Sequence, residues 1–127
     1  MKKNENEDYM KRNSRYHRLF ALIAAREAGR VLFIFEKENP KDKRPRKAIE
    51  AIRSWAQGKR KLGMKEVRRL SLDSHKAARK AKTDAARFAA RAAGQAVATW
   101  HVPTHAMAVP YYVCKARFAS KNSKNFK

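Results

Sequence analysis

The sequence predicts an all-α protein, a compact bundle of about five helices with an alanine-rich central helix. Glycine and proline number only four each, so little of the chain is turn or breaker. Apolar residues return at three- and four-residue spacing through most of the length, and no segment alternates β-branched with polar residues as a half-buried strand does. At 127 residues there is room for one domain around one core. Much of the 43% apolar content is alanine, which predicts a thin core with closely approaching helices.

The first helix is predicted from Arg15 to about Lys37, with Tyr16, Leu19, Phe20, Ile23, Ala24, Val31, Ile34 and Phe35 inward. Asn39-Pro40 stops it, and Pro45 suits the first turn of a second helix. That helix buries Ala48, Ile49, Ile52, Trp55 and Ala56 and ends at a Gly58 cap. A third runs from Met64 to Lys82, with Met64, Val67, Leu70, Ser74, Ala77, Ala78 and Ala81 inward. Thr83 or Asp84 caps the fourth, the central one, which turns Ala85, Phe88, Ala89, Ala92, Ala93, Ala96, Val97 and Trp100 to the core. Val102-Pro103 breaks the chain, and Thr104 caps a fifth helix with Met107, Tyr111, Cys114 and Phe118 inward. Residues 1–14 are expected as a disordered N-terminal segment, 15–119 as a single helical domain and 120–127 as a disordered basic tail.

The charge is the outlying property. Lys and Arg total 32 against 11 Asp and Glu, a formal +21. Such a field attracts anions over a Debye length of about 8–10 Å, so nucleic acid, an acidic protein or an anionic surface are the candidate partners. The densest stretch is Lys59–Lys82, with ten basic residues and two acidic. Lys59, Arg60, Lys61, Lys65, Arg68, Arg69, Lys76, Arg79 and Lys80 are the candidate binding residues, spaced to follow a row of carboxylates or phosphates. No helix-turn-helix, zinc-finger or ribonucleoprotein motif accompanies them, so base-specific readout has no support.

Catalytic residues are not expected. The chain carries no P-loop, dinucleotide fingerprint, nucleophile elbow or cysteine pattern for zinc, and few carboxylates for paired acid–base work. His75, His101 and His105 form a candidate ligand-binding or structural polar cluster; His101 and His105 share ligand spacing, although Pro103 lies between them. A structural role is favoured for them and for His17 over a metal, and no cofactor is expected. The single Cys114 is expected as a buried, inert thiol in a reducing compartment. Trp55 and Trp100 belong to the core, and of the adjacent Tyr111 and Tyr112 the second is expected nearer the surface. No stretch is apolar enough to span a bilayer and no signal-peptide h-region opens the chain, so a cytoplasmic location with no membrane partner is expected.

The stretches HRLFALIAAREAGRVLFIFE (17–36), PRKAIEAIRSWAQGK (45–59), DSHKAARKA (73–81) and AARAAGQAVATWHVPTHA (89–106) resemble a bacterial family of immunity proteins associated with polymorphic toxin systems. The similarity runs from about His17 to Lys115, and its most specific parts are the tryptophan-bearing second helix and His-Val-Pro-Thr-His. The resemblance implies an all-α domain and a non-catalytic binding protein that neutralises a toxin by occlusion, without a cofactor; the positive charge makes the expected partner an acidic protein. The alternative is a sequence-nonspecific nucleic-acid- or ribosome-binding protein that docks through the Lys/Arg-rich helix.

Overall fold

Ser14 opens the first helix by accepting the His17 N–H on its Oγ at 3.1 Å, which satisfies one of the donors a helix start leaves open. A computed structural model of the chain describes residues 11–125, with side chains as far as residue 122. Five α-helices follow one another in the described residues: α1 (Arg15–Glu38), α2 (Arg44–Ala56), α3 (Met64–Lys80), α4 (Asp84–Ala98) and α5 (Ala108–Asn125). A 3₁₀ turn, Pro103–Met107, joins the last two, and no strand occurs among the described residues.

Most of the ends are chemically marked. Pro45 sits in the first turn of α2, where its missing N–H costs nothing. Gly58 adopts φ +74° and closes α2 in a Schellman arrangement, Gly58 N–H to Trp55 C=O at 3.0 Å and Lys59 N–H to Ser54 C=O at 2.8 Å. Thr83 caps α4, its Oγ1 accepting the Ala86 N–H at 3.2 Å. The Glu38 carboxylate at the end of α1 in turn accepts from Thr83 Oγ1 and from the Lys82 and Thr83 N–H groups, at 2.7–2.9 Å. Burial alone would raise the Glu38 pKa, but these bonds and that from Asn39 outweigh it and hold the carboxyl below its ordinary value. One side chain thus locks the α3–α4 connection onto α1.

α4 is the hub. It packs against α1, α2, α3, α5 and the 3₁₀ turn, and buries Ala85, Ala86, Ala89, Ala90, Ala92, Ala93, Gly94, Ala96 and Val97. A helix buried over so wide an arc needs neighbours at close range, and alanine permits that approach. Phe35, Ile49, Ile52, Val31 and Val97 fill the volume between. α3 lies at the margin: its main contacts are with α2 and α4, and Ser71 and Ser74 fasten it by donating to the Gly94 and Ala90 carbonyls at 3.1 and 2.8 Å.

Several expectations need correction. In α1 Ala24, Val31 and Phe35 are inward as expected, but His17, Ala21, Ala25 and Ala28 are buried as well whereas Leu19 and Ile23 are about half exposed, because the small residues form the stripe that meets α4. α5 is rotated from the predicted facing, with Val109, Val113 and Ala116 inward and Met107, Tyr111, Cys114 and Phe118 exposed. The 3₁₀ turn after Pro103 sets that different phase, and Tyr112, expected nearer the surface, is the more buried of the tyrosine pair. α3 stops at Lys80 with Ala81 as its cap, two residues early. Residues 120–125, expected in the disordered tail, continue α5 as helix. The expected N-terminal segment lies outside the described residues as far as residue 10; from there Arg12 packs over Trp100 at 4.1 Å and Asn13 turns the chain with φ 66°.

The facing of α5 makes a simple prediction. Cys114 should react with a disulfide reagent such as Ellman's in the native protein, releasing about one equivalent without denaturant. A thiol that titrates only after unfolding would place it in the core.

Candidate functional site

All nine of the basic residues proposed from sequence are solvent-exposed. Lys65, Arg68, Arg69, Lys76, Arg79 and Lys80 recur at helical spacing along the outer side of α3, and Lys59, Arg60 and Lys61 continue the positive surface into the preceding loop. Among the described residues Arg60 is the one member of the nine in an ion pair, with Glu66 at 2.7 Å. Carboxylates elsewhere are committed locally: Arg46 forks onto Glu36, tying α2 to α1, and Arg44 forks onto Asp42. Apart from the Arg60–Glu66 pair, the ridge is therefore a patch of cations without ion-pair partners among the described residues. In its middle stands Leu72, 54% exposed, flanked at three- and four-residue spacing by Arg68, Arg69 and Lys76.

Beside the ridge a cavity of about 280 Å³ opens between α3, the end of α4 and the 3₁₀ turn. His75, His101 and His105 all line it, together with Arg68, Gln95 and the apolar Met64, Val67, Leu72 and Ala98. His75 reaches this neighbourhood because α3 packs on α4. Its Nδ1 accepts from Arg91 Nη1 at 2.8 Å, which puts the ring proton on Nε2 because arginine only donates. His105 Nδ1 and Gln95 Oε1 lie 2.9 Å apart, so Nδ1–H donates there. Burial first, then the Arg91 and Arg79 charges, push the His75 pKa down to about 4. Burial first, then His101, lower that of His105.

Among the described residues no three His, Cys, Asp or Glu side chains converge to hold a metal ion, so the imidazoles share a cavity without sharing a point. Gly94 is what seats His75. A Cβ at position 94 would stand 2.7 Å from its Nε2 and 2.8 Å from its Cε1. Sequence reasoning passed over Gly94, Arg91 and Gln95; the legible hint was a glycine in the middle of an alanine-rich helix, which costs stability unless something approaches closely.

A second, larger groove of about 1200 Å³ runs between the end of α1, the start of α4 and α5, lined by Ile34, Phe88, Cys114 and Phe118 among others. No described helix is long and apolar enough to cross a membrane.

The class is thus an all-α bundle that presents a basic face along α3 with few ion pairs. A family model described as "Imm-5 like putative immunity protein" matches residues 11–127, nearly the whole chain, and the protein belongs to that family. No curated protein and no solved structure matches it at significant similarity.

Proposed function

We propose that the protein is a non-catalytic inhibitor that neutralises a toxin by covering an acidic surface of it with the outer face of α3. The observation that carries this reading is the ridge itself: exposed cations, nearly all without an ion-pair partner, on a helix whose main packing is with α2 and α4 alone. Their mutual repulsion is relieved when carboxylates of a partner settle among them, and the same field accelerates encounter. Leu72 favours a protein partner over nucleic acid. An apolar side chain at the centre of a charged rim matches the anatomy of a protein interface, where a desolvated anchor is ringed by polar contacts. A row of phosphates would leave it facing charge. Occlusion needs neither cofactor nor nucleophile.

Changing Arg68, Arg69, Lys76 and Arg79 together to Glu should weaken binding to the cognate toxin about 100-fold or more at low salt, with far-UV dichroism unchanged. The measurement is surface plasmon resonance with a toxin encoded beside the gene, paired with rescue of growth on co-expression. Unchanged affinity in the quadruple variant would remove the ridge from the interface. Tight binding of duplex DNA, with a log–log salt slope near −0.9 per phosphate contacted, would transfer the ridge to nucleic acid.

A further inference from the structure

The cavity beside α3 has a composition that the ridge alone does not explain. Its ten lining residues include an arginine, three histidines and a glutamine, and not one carboxylate. At about 280 Å³ it is smaller than a pocket for a drug-sized ligand and suits one side chain. The polar groups lie on three elements: Arg68 and His75 on α3, Gln95 on α4, and His101 and His105 after it. Two imidazoles are held in place, His75 by Arg91 from outside the cavity and His105 by Gln95 on its wall, and His75 Nε2 has no hydrogen bond among the described residues. Met64, Val67, Leu72 and Ala98 supply walls for a short aliphatic stem. Arg68 and Leu72 belong to the ridge as well, so the cavity is continuous with the docking face.

We propose that this cavity is the receptor for a single acidic side chain, an aspartate or glutamate of the docked toxin, its carboxylate held by Arg68 and the imidazole edges and its stem by the apolar walls. The proposal rests on the reading of α3 as the docking face and adds to it a point of register: the ridge attracts, and the cavity fixes where the partner stops. Charge complementarity selects the occupant. The groups that face the site are Arg68, His75, His101 and His105, with Arg79 and Arg91 behind His75. At neutral pH burial and these arginines keep His75 uncharged, so it meets a carboxylate as a neutral donor. A carboxylate in the cavity offsets the field that opposes protonation, so occupancy and proton uptake strengthen one another as pH falls.

Glutarate, which is glutamate without its amino group, serves as the probe against the ¹⁵N-labelled full chain. Histidine-ring NMR should show His75, His101 and His105 shifting together, with affinity rising about fivefold from pH 8 to pH 5.5 and glutaramide, the uncharged isostere, without effect. Arg68→Ala and His101→Ala, both at exposed positions, should each reduce glutarate affinity by about tenfold while melting as the wild type does. Histidine signals unmoved by glutarate, or moved equally by glutaramide, overturn the proposal. The docking reading fails separately, through a toxin complex indifferent to reversal of Arg69, Lys76 and Arg79. Glutarate binding combined with a toxin complex insensitive to His101→Ala would assign the cavity to a free organic acid and overturn the side-chain assignment.

Discussion

Replacing His17 with alanine should lower the stability of the fold by about 3 kcal/mol, a drop of about 10 °C in melting temperature. The side chain is wholly buried in the first turn of α1. Its Nε2–H donates to the Thr99 carbonyl at 2.6 Å, its Nδ1 accepts the Asn13 N–H at 2.8 Å, and its ring lies 4.9 Å from that of Trp55. One imidazole therefore joins the chain ahead of α1 to the end of α4 and to α2. Alanine leaves a cavity and two backbone groups without their partner, and the costs of lost packing and orphaned polar atoms add. His17→Phe separates them: it refills the volume but cannot serve Thr99 or Asn13, so more than a third of the loss should remain in a urea melt. Full recovery in that variant would reduce the histidine to a space-filler.

The same residue gives the fold an acid-sensitive point. Burial lowers the His17 pKa, opposed by the bond to Thr99 and helped by the Arg12 and Arg18 charges, and His75 and His105 are lowered as well. A histidine held neutral in the fold takes up its proton more readily when unfolded. Its stabilising contribution is therefore complete above the unfolded pKa of about 6.5 and declines as pH falls from there toward the folded value, about 4 for His75. Stability should begin to fall below about pH 6.5, before Glu36, Glu38 and Asp42, whose pKa values are lowered, start to be protonated in the fold. The His17→Ala variant should show a shallower decline across that interval.

Ala93→Leu should cost about 3 kcal/mol, at the upper end for an overpacked core position. Ala92, Ala93 and Gly94 are consecutive and all buried, so α4 is enclosed over at least two successive steps of about 100°. Three added carbon atoms have no outlet there, and the helix can accommodate them only by pushing a neighbour away. Arg87→Leu, on the partly exposed side of the same helix, controls for propensity and should change stability by less than about 0.5 kcal/mol. Equal melting temperatures for the two variants would mean that the alanine contacts are loose.

Helix ends were legible because they are written in local chemistry. Pro45, Gly58 and Thr83 each act within a few residues of themselves, and the structure uses all three at the termini, whereas Thr104 lies inside the 3₁₀ turn and the Ser14 cap falls in a segment expected to be disordered. Helix facing was legible where large aliphatics and burial coincide, as at Ile49, Ile52 and Trp55 in α2. It was misread in α1 and α5, where size misleads: Leu19, Ile23 and Phe118 are more apolar than Ala21, Ala25 and Ala116, yet the small residues are those that admit a neighbouring backbone. The exposure of the ridge could be read because a run of charge resists burial wherever it falls. The cavity could be read only in part, since His75 and His101 are 26 positions apart and line it together only once α3, with His75 seated against Gly94, is laid on α4.

On the proposed reading of α3 as the docking face, its marginal seat has a consequence for how the protein changes over generations. Its grip on the bundle lies in Val67, Leu70, Ser74, Ala77 and Ala78, while Lys65, Arg69, Leu72 and Lys76 carry none of the core. Exchange of these outer side chains leaves Val67, Leu70, Ser74, Ala77 and Ala78 untouched, so folding and recognition draw on separate letters of the same helix. A toxin that alters its surface can then be followed by substitutions along one strip, with the rest of the protein standing still as a chassis.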